Sequence, residues 1–158
     1  MKVDIDALAS ELEMSFDDYE MYLDLETGEV ISVSHEEMRL AEDSEEDDDF
    51  SSYAAWERDA IKQAIEIFMN DERYILLPKL KESEEYDIMA EFCEGVKPAG
   101  LRDQLLGAIR GKEAFRRFKD AILRLGIEQD WYDFRSEKIR AYTIEWCKAK
   151  KIPYELSE

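Results

Sequence analysis

The run Tyr-Glu-Met-Tyr-Leu-Asp-Leu at residues 19–25, followed by Glu-Thr-Gly-Glu at 26–29 and Val-Ile-Ser-Val at 30–33, decides the fold class. In the first run every second residue from Met21 onward is apolar, which is the period-two pattern of a strand. Gly28 can take the positive φ of a tight turn, so the third run is predicted to return as an antiparallel strand. Because a lone hairpin is only marginally stable in water, we expect it to pack on helices or further strands.

Most of the remaining chain carries apolar residues at helical spacing. The stretch 73–80 is β-like but contains Pro78, which predicts an edge strand or an extended crossover. Gly95 stands where the C-cap of a preceding helix is expected. The predicted helices span residues 3–14, 53–69, 83–94, 100–110, 112–125 and 128–150.

These elements predict an α+β fold that is mostly helical. The N-terminal β-hairpin is expected to pack with about five or six helices, and the chain to end in a C-terminal three-helix segment. The length suits one domain over residues 1–158, with an acidic loop at 42–49 and a helical C-terminal part at 83–152.

Charge is distributed unevenly along the chain. There are 40 acidic and 21 basic residues, for a net charge of −19. Residues 1–50 hold 19 acidic residues against Lys2 and Arg39, whereas residues 101–158 hold 13 basic against 10 acidic residues. The run 42–49 contains seven acids in eight residues and is predicted to be solvated. This distribution disfavours nucleic acid as a partner and allows head-to-tail self-association.

Composition argues against several classes of site. His35 is the single histidine, and Cys93 and Cys147 are the two cysteines, so a transition-metal site and a disulfide scaffold are not expected. Both cysteines are expected to be small buried hydrophobic residues. The sequence also lacks the glycine-rich phosphate-binding motifs and the nucleophile-elbow serine. We therefore assign no catalytic residue, no metal and no cofactor.

The cellular location is predicted from the lengths of the apolar runs and from the first residues. No apolar run approaches the length that crosses a bilayer, and residues 1–6 lack the pattern of a secretory signal. We expect a cytoplasmic protein without a membrane partner.

Two motifs in the last sixty residues are distinctive: Ala-Ile-Arg-Gly-Lys-Glu-Ala-Phe-Arg-Arg-Phe-Lys-Asp at 108–120 and Trp-Tyr-Asp-Phe-Arg at 131–135. With the upstream Tyr-x-x-Met-x-x-Phe helix at 86–92, they resemble the bacterial uncharacterised protein family 0158, mainly over residues 73–152. Glu113 stands where that family usually has Gly, at an expected tight turn. The resemblance implies no particular reaction, cofactor or partner.

The helix at 112–125 offers a candidate anion site. Its apolar stripe predicts a core face, which leaves Lys112, Arg116 and Lys119 on another face, with Arg110 close by. These cations either form a solvated face that balances the acidic half of the chain, or bind a phosphate, a nucleotide or an acidic protein segment.

Arg135 lies within the apolar arc of the helix at 128–150. Because an isolated buried charge costs many kcal/mol, this guanidinium needs a partner. One hypothesis is a structural ion pair or aromatic stack, with Glu57 as a candidate carboxylate. The other is a ligand-binding arginine in an aromatic pocket formed with Trp131 and Tyr132.

The leading functional hypothesis is a small cytoplasmic bacterial protein that binds or regulates through protein–protein contacts without catalysis; the protein partner is not identified by the sequence. One alternative is an acidic mimic of nucleic acid that binds a basic partner through residues 36–49. Another is a phosphate- or nucleotide-binding protein, or an enzyme, that uses the basic residues between 110 and 135. The anion-binding candidates are Arg110, Lys112, Arg116, Lys119 and Arg135.

Overall fold

The computed structural model describes residues 1–14, 17–45 and 50–156. This part of the chain has the mostly helical α+β fold that the sequence predicts, with small sheets and seven helices. The strands are β1 (Val3–Asp4), β2 (Tyr19–Asp24), β3 (Val30–Ser34), β4 (Tyr74–Leu76) and β5 (Tyr154–Glu155). The helices are α1 (Ile5–Glu13), α2 (His35–Asp43), α3 (Ala55–Met69), α4 (Glu82–Gly95), α5 (Ala99–Ala108), α6 (Ala114–Leu125) and α7 (Glu128–Lys150).

The described chain divides into two compact units. The N-terminal unit comprises the described residues of 1–79 together with 147–156, and the C-terminal unit comprises residues 80–146. The single-domain organisation of residues 1–158 stays a prediction. None of the described helices is both long and apolar enough to cross a membrane.

The predicted hairpin of β2 and β3 is confirmed, and β4 pairs with β2 to complete a three-stranded antiparallel sheet in the order β3-β2-β4. Its turn is closed by the Asp24 amide, which donates to the Glu29 carbonyl at 2.9 Å, and Gly28 takes a φ of +80°. Strand β4 lies at the sheet edge, as predicted for the stretch around it, and Pro78 falls just beyond its end. A second, parallel pair joins β1 and β5.

Both faces of the three-stranded sheet contribute buried residues. Met21 and Leu23 are buried on the predicted side. On the other side, Val33 and Tyr74 join residues of α2 and α3 in a second cluster, against which Tyr22 also packs. Tyr22 can pack on this side because its ring pairs an apolar body with a polar tip.

Helix α2 was not among the predicted helices. It begins with a capping box in which the Ser34 hydroxyl accepts from the Glu37 amide at 3.0 Å, while the Glu37 carboxylate accepts from the Ser34 amide at 3.2 Å. The helix extends through Glu42 and Asp43, so the start of the predicted acidic loop is helical. Residues 46–49 of that loop lie outside the described residues.

The C-terminal unit contains the predicted three-helix segment, α5 to α7, packed with α4 around one core. Phe92, Phe118 and Trp131 form its centre, with ring centroids 4.8–6.0 Å apart in edge-on arrangements. Buried aromatic rings of this size each contribute roughly 1.5–3 kcal/mol through the hydrophobic effect. The prediction for Gly95 was wrong: α4 continues through it, and Val96 caps the helix in an extended conformation.

Candidate functional site

The N-terminus of α6 is held by an unusual turn. Glu113 is its N-cap and takes the left-handed conformation, with φ 60° and ψ 31°. The tight turn that the family resemblance places here is therefore formed with glutamate instead of glycine. The Glu113 side chain makes no capping hydrogen bond. The first amides of α6 therefore lack a side-chain acceptor from their N-cap, and the helix dipole places partial positive charge at this end.

Arg117 closes the loop that leads into α6. Its guanidinium donates to the backbone carbonyls of Arg110 and Lys112, which precede the helix. Gly111, between them, has a φ of +78°. These bonds order the loop around Arg110 and Lys112, whose side chains make no ion pair with any other described residue.

A surface groove of about 510 Å³ lies beside this turn. Tyr86 and Phe115 supply its apolar part, with their rings edge-on at 6.4 Å, and the Tyr86 hydroxyl donates to the Ile109 carbonyl at 3.0 Å. Lys112 and Arg116 supply positive charge, but Glu82 and Glu113 line the same groove. The groove thus presents both signs of charge.

The basic face of α6, defined here as Arg116, Lys119 and Leu123, lies within an arc of about 60° at the helical step of 100° per residue. Arg116 lies 3.4 Å from the Glu113 carboxylate in a solvated pair that contributes little to stability. Lys119 forms no ion pair with another described residue. Leu123 lies one turn beyond Lys119 within the same arc, and 66% of its surface is exposed. A large apolar side chain is therefore presented to solvent beside these cations.

The structure thus places four of the five predicted anion-binding residues on or beside α6, and all four are exposed: Arg110, Lys112, Arg116 and Lys119. Arg135 is not part of this group, because its guanidinium is occupied by Glu85 of α4. The Nη2–Oε1 distance is 2.9 Å and the Nε–Oε2 distance 3.3 Å. The carboxylate partner is Glu85 and not the proposed Glu57, which lies on α3 of the N-terminal unit.

The aromatic pocket candidates, Trp131 and Tyr132, differ in their exposure to solvent. Trp131 is 6% exposed and packs against Phe92 and Phe118 in the core. Tyr132 is 49% exposed. The structure does not bring the two rings into a common pocket with Arg135.

The surface proposed to mimic nucleic acid, residues 36–49, is described only in part. Glu36, Glu42 and Asp43 are exposed along α2, and residues 46–49 lie outside the described residues. The basic-partner hypothesis stays a prediction.

A cluster of carboxylates around Arg73 was not predicted from the sequence. Asp24 of β2 accepts two hydrogen bonds from the Arg73 guanidinium, at 3.0 Å from Nε and 2.9 Å from Nη2. Glu26 and Glu66 also reach Arg73, at 3.3 and 3.5 Å. The guanidinium hydrogen bonds and the Glu26 amide hold the pKa of Asp24 well below its usual range, although its burial opposes this.

Comparison with known proteins places the chain in a family. The sequence model of the uncharacterised protein family UPF0158 matches residues 1–158. The chain belongs to this family. A UPF0158 protein of Pseudomonas aeruginosa is 28% identical over 153 residues, which is 96% of this chain and 85% of that protein. A UPF0158 protein of Chlamydia muridarum is 30% identical over 95 residues, 59% of this chain and 29% of that protein. No solved structure matches the chain.

The two cysteines of this UPF0158 protein are both fully buried, as expected. Burial raises the pKa of the Cys93 thiol to about 11 and that of Cys147 above its usual value. Both thiols are therefore protonated near neutral pH and are poor nucleophiles.

Proposed function

We propose that this UPF0158 protein is a non-catalytic binding or regulatory protein of the bacterial cytoplasm that acts through protein–protein contacts, and that the basic face of α6 receives an acidic segment of its partner. The observation that carries the proposal is the exposure of Leu123 on the face of α6 that also carries Arg116 and Lys119. An exposed apolar side chain beside exposed cations is a pattern expected of a binding surface.

The two components of this face have different tasks. Leu123 supplies apolar area that is released from water when a partner covers it, which favours binding. The cations supply steering and register, and they disfavour partners of like charge. Because the first fifty residues are strongly acidic, an acidic partner is repelled from the N-terminal part of the chain. This charge difference directs such a partner toward α6.

Binding of a labelled acidic peptide tests the proposal. The probe is a fluorescein-labelled peptide with the repeat Glu-Glu-Leu, titrated with protein at two salt concentrations. We expect saturable binding that weakens with salt. The double variant Arg116→Glu with Lys119→Glu should weaken binding at least tenfold, and Leu123→Ala by several fold.

Lys62→Glu is the matched control, because Lys62 is an exposed lysine of α3 in the N-terminal unit. It should bind the peptide as the wild type does. Equal affinity of all the variants would contradict the proposal. Competition by inorganic phosphate or ATP at low concentration would instead favour the phosphate- or nucleotide-binding alternative.

A further inference from the structure

A second concavity of the C-terminal unit has no lining residue in common with the basic face of α6. It is a cleft of about 350 Å³ between the end of α4, the start of α5 and the first turns of α7. Its lining is largely apolar, and Phe92 is itself packed into the aromatic core against Phe118 and Trp131. The apolar lining residues used below are Phe92, Leu101, Ile127 and Phe134.

The cleft is preformed by packing that does not depend on a ligand. The Phe92 and Phe134 rings lie 5.5 Å apart at 56°, so the two phenyl groups form adjoining walls. Ile127 is fixed by its amide, which donates to the Ile122 carbonyl at 3.0 Å at the end of α6. A cavity of this size with largely apolar walls falls within the range of small-molecule sites.

Two opposite charges line the same cleft. Lys97 and Asp130 are both exposed lining residues. They form no ion pair with each other or with any other described residue. A cation and an anion that share a cleft without pairing leave room for a molecule that carries both complementary charges.

We propose that this cleft binds a zwitterion with a large apolar side chain, in the class of the aliphatic and aromatic α-amino acids. The carboxylate pairs with Lys97, the ammonium group pairs with Asp130, and the side chain lies against Phe92 and Phe134. A neutral apolar molecule would cover both charged groups without replacing their water, which costs free energy. A zwitterion replaces that water with two charge-assisted hydrogen bonds.

Calorimetric titration with free L-phenylalanine and L-leucine tests the site. We expect saturable binding with a dissociation constant on the order of 1 mM or tighter. N-acetyl-L-phenylalaninamide, which keeps the phenyl group but carries neither charge, should not saturate the protein. Equal binding of this capped analogue, or no binding of either amino acid up to about 20 mM, would overturn the proposal.

Charge variants assign the two ends of the ligand. Lys97→Gln should weaken L-phenylalanine binding about tenfold while leaving phenethylamine, which lacks the carboxylate, unaffected. Asp130→Asn should weaken L-phenylalanine similarly while leaving 3-phenylpropionate unaffected. Lys62→Gln serves as the control for loss of an exposed lysine. Unchanged L-phenylalanine affinity in both charge variants would exclude this site.

A second readout keeps the experiment independent of heat signals. The ring centroids of Trp131 and Phe92 lie 5.4 Å apart, so Trp131 packs against a lining residue of the cleft. In the variant with Trp56→Phe and Trp146→Phe, Trp131 is the remaining indole, and its emission should change on titration with L-leucine. Phe134→Ala should reduce both signals, since it removes one wall. Thermal melts of every variant establish that it is folded, and the α6 variants Arg116→Glu and Lys119→Glu should bind the amino acids normally.

Discussion

Two arginine–carboxylate pairs, one in each unit, have nearly the same geometry but different surroundings. Arg73 holds Asp24 with two hydrogen bonds, and Arg135 holds Glu85 in the same way. The Asp24 side chain is 5% exposed, whereas the Glu85 side chain is 24% exposed. Because the distances are similar, we expect the solvation of the carboxylate to set how much each pair contributes to stability.

The largest effect is expected from Arg73→Met, which keeps most of the stem volume but leaves Asp24 buried without its cation. An unpaired buried carboxylate costs about 3–5 kcal/mol, and we expect the lower part of this range because the Glu26 amide still donates to Asp24 at 2.9 Å. Urea unfolding followed by circular dichroism measures the loss. A loss below about 1 kcal/mol would contradict the expectation that burial of the Asp24 carboxylate raises the cost of removing its arginine.

The pH dependence of unfolding should measure the contribution of the Asp24–Arg73 pair to stability without a substitution at Arg73. Since the pKa of Asp24 is lowered by folding, its stabilising contribution is fully present above the unfolded-state value near 4 and is lost as the pH falls through the folded-state value. Between pH 5 and 2, the urea midpoint of the wild type should therefore fall more steeply than that of Asp24→Asn. Parallel curves would mean that folding does not shift the Asp24 pKa.

A smaller loss is expected from Arg135→Met. Glu85 is partly exposed and can recover water, so the cost should lie between that of a surface pair and that of a buried pair, about 1–2 kcal/mol. A double-mutant cycle with Glu85→Gln isolates the interaction of the two side chains. If Arg135→Met costs as much as Arg73→Met, the difference in exposure does not explain the energies.

The smallest effects concern Glu113, whose pair with Arg116 is largely solvated. Glu113→Gln removes the charge of that pair and should change stability by less than about 0.5 kcal/mol. Glu113→Gly should raise it by about 0.5–1 kcal/mol, because glycine adopts a φ of 60° without steric cost. Gly111→Ala, at a φ of +78° in the same loop, should destabilise. A stabilising Gly111→Ala would contradict this strain argument.

The sequence predicted those elements whose pattern is local. The hairpin followed from alternation and a turn glycine, and the helices from apolar spacing, because these signals span a few residues. Helix α2 was missed since its sequence is rich in Glu and only Ala41 is buried. The Ser34–Glu37 capping box was the signal that could have found it.

The candidate site could be predicted from the sequence only where the position of a residue on its own helix was enough, and not where two elements have to meet. The wheel position of Arg135 predicted a need for a partner, with an ion pair to Glu57 as one candidate. The pairing with Glu85 instead depends on packing between helices, because the two residues are fifty positions apart in the chain. Asp24 alternates with the apolar residues of β2, on the face expected to meet solvent, so neither its burial nor its pairing with Arg73 could be predicted from the local pattern. The cations around α6 were predictable because helical periodicity alone separates them from the core face.

The fully buried thiols allow the opening of each unit to be measured separately. Cys147 belongs to the N-terminal unit and Cys93 to the C-terminal unit, and neither is accessible to solvent in the folded state. A thiol reagent therefore modifies each cysteine only when the surrounding structure opens, so the modification rate reports how often that opening occurs. Mass spectrometry of the two cysteine-containing peptides would thus time the opening of each unit separately in a single sample, without any engineered label.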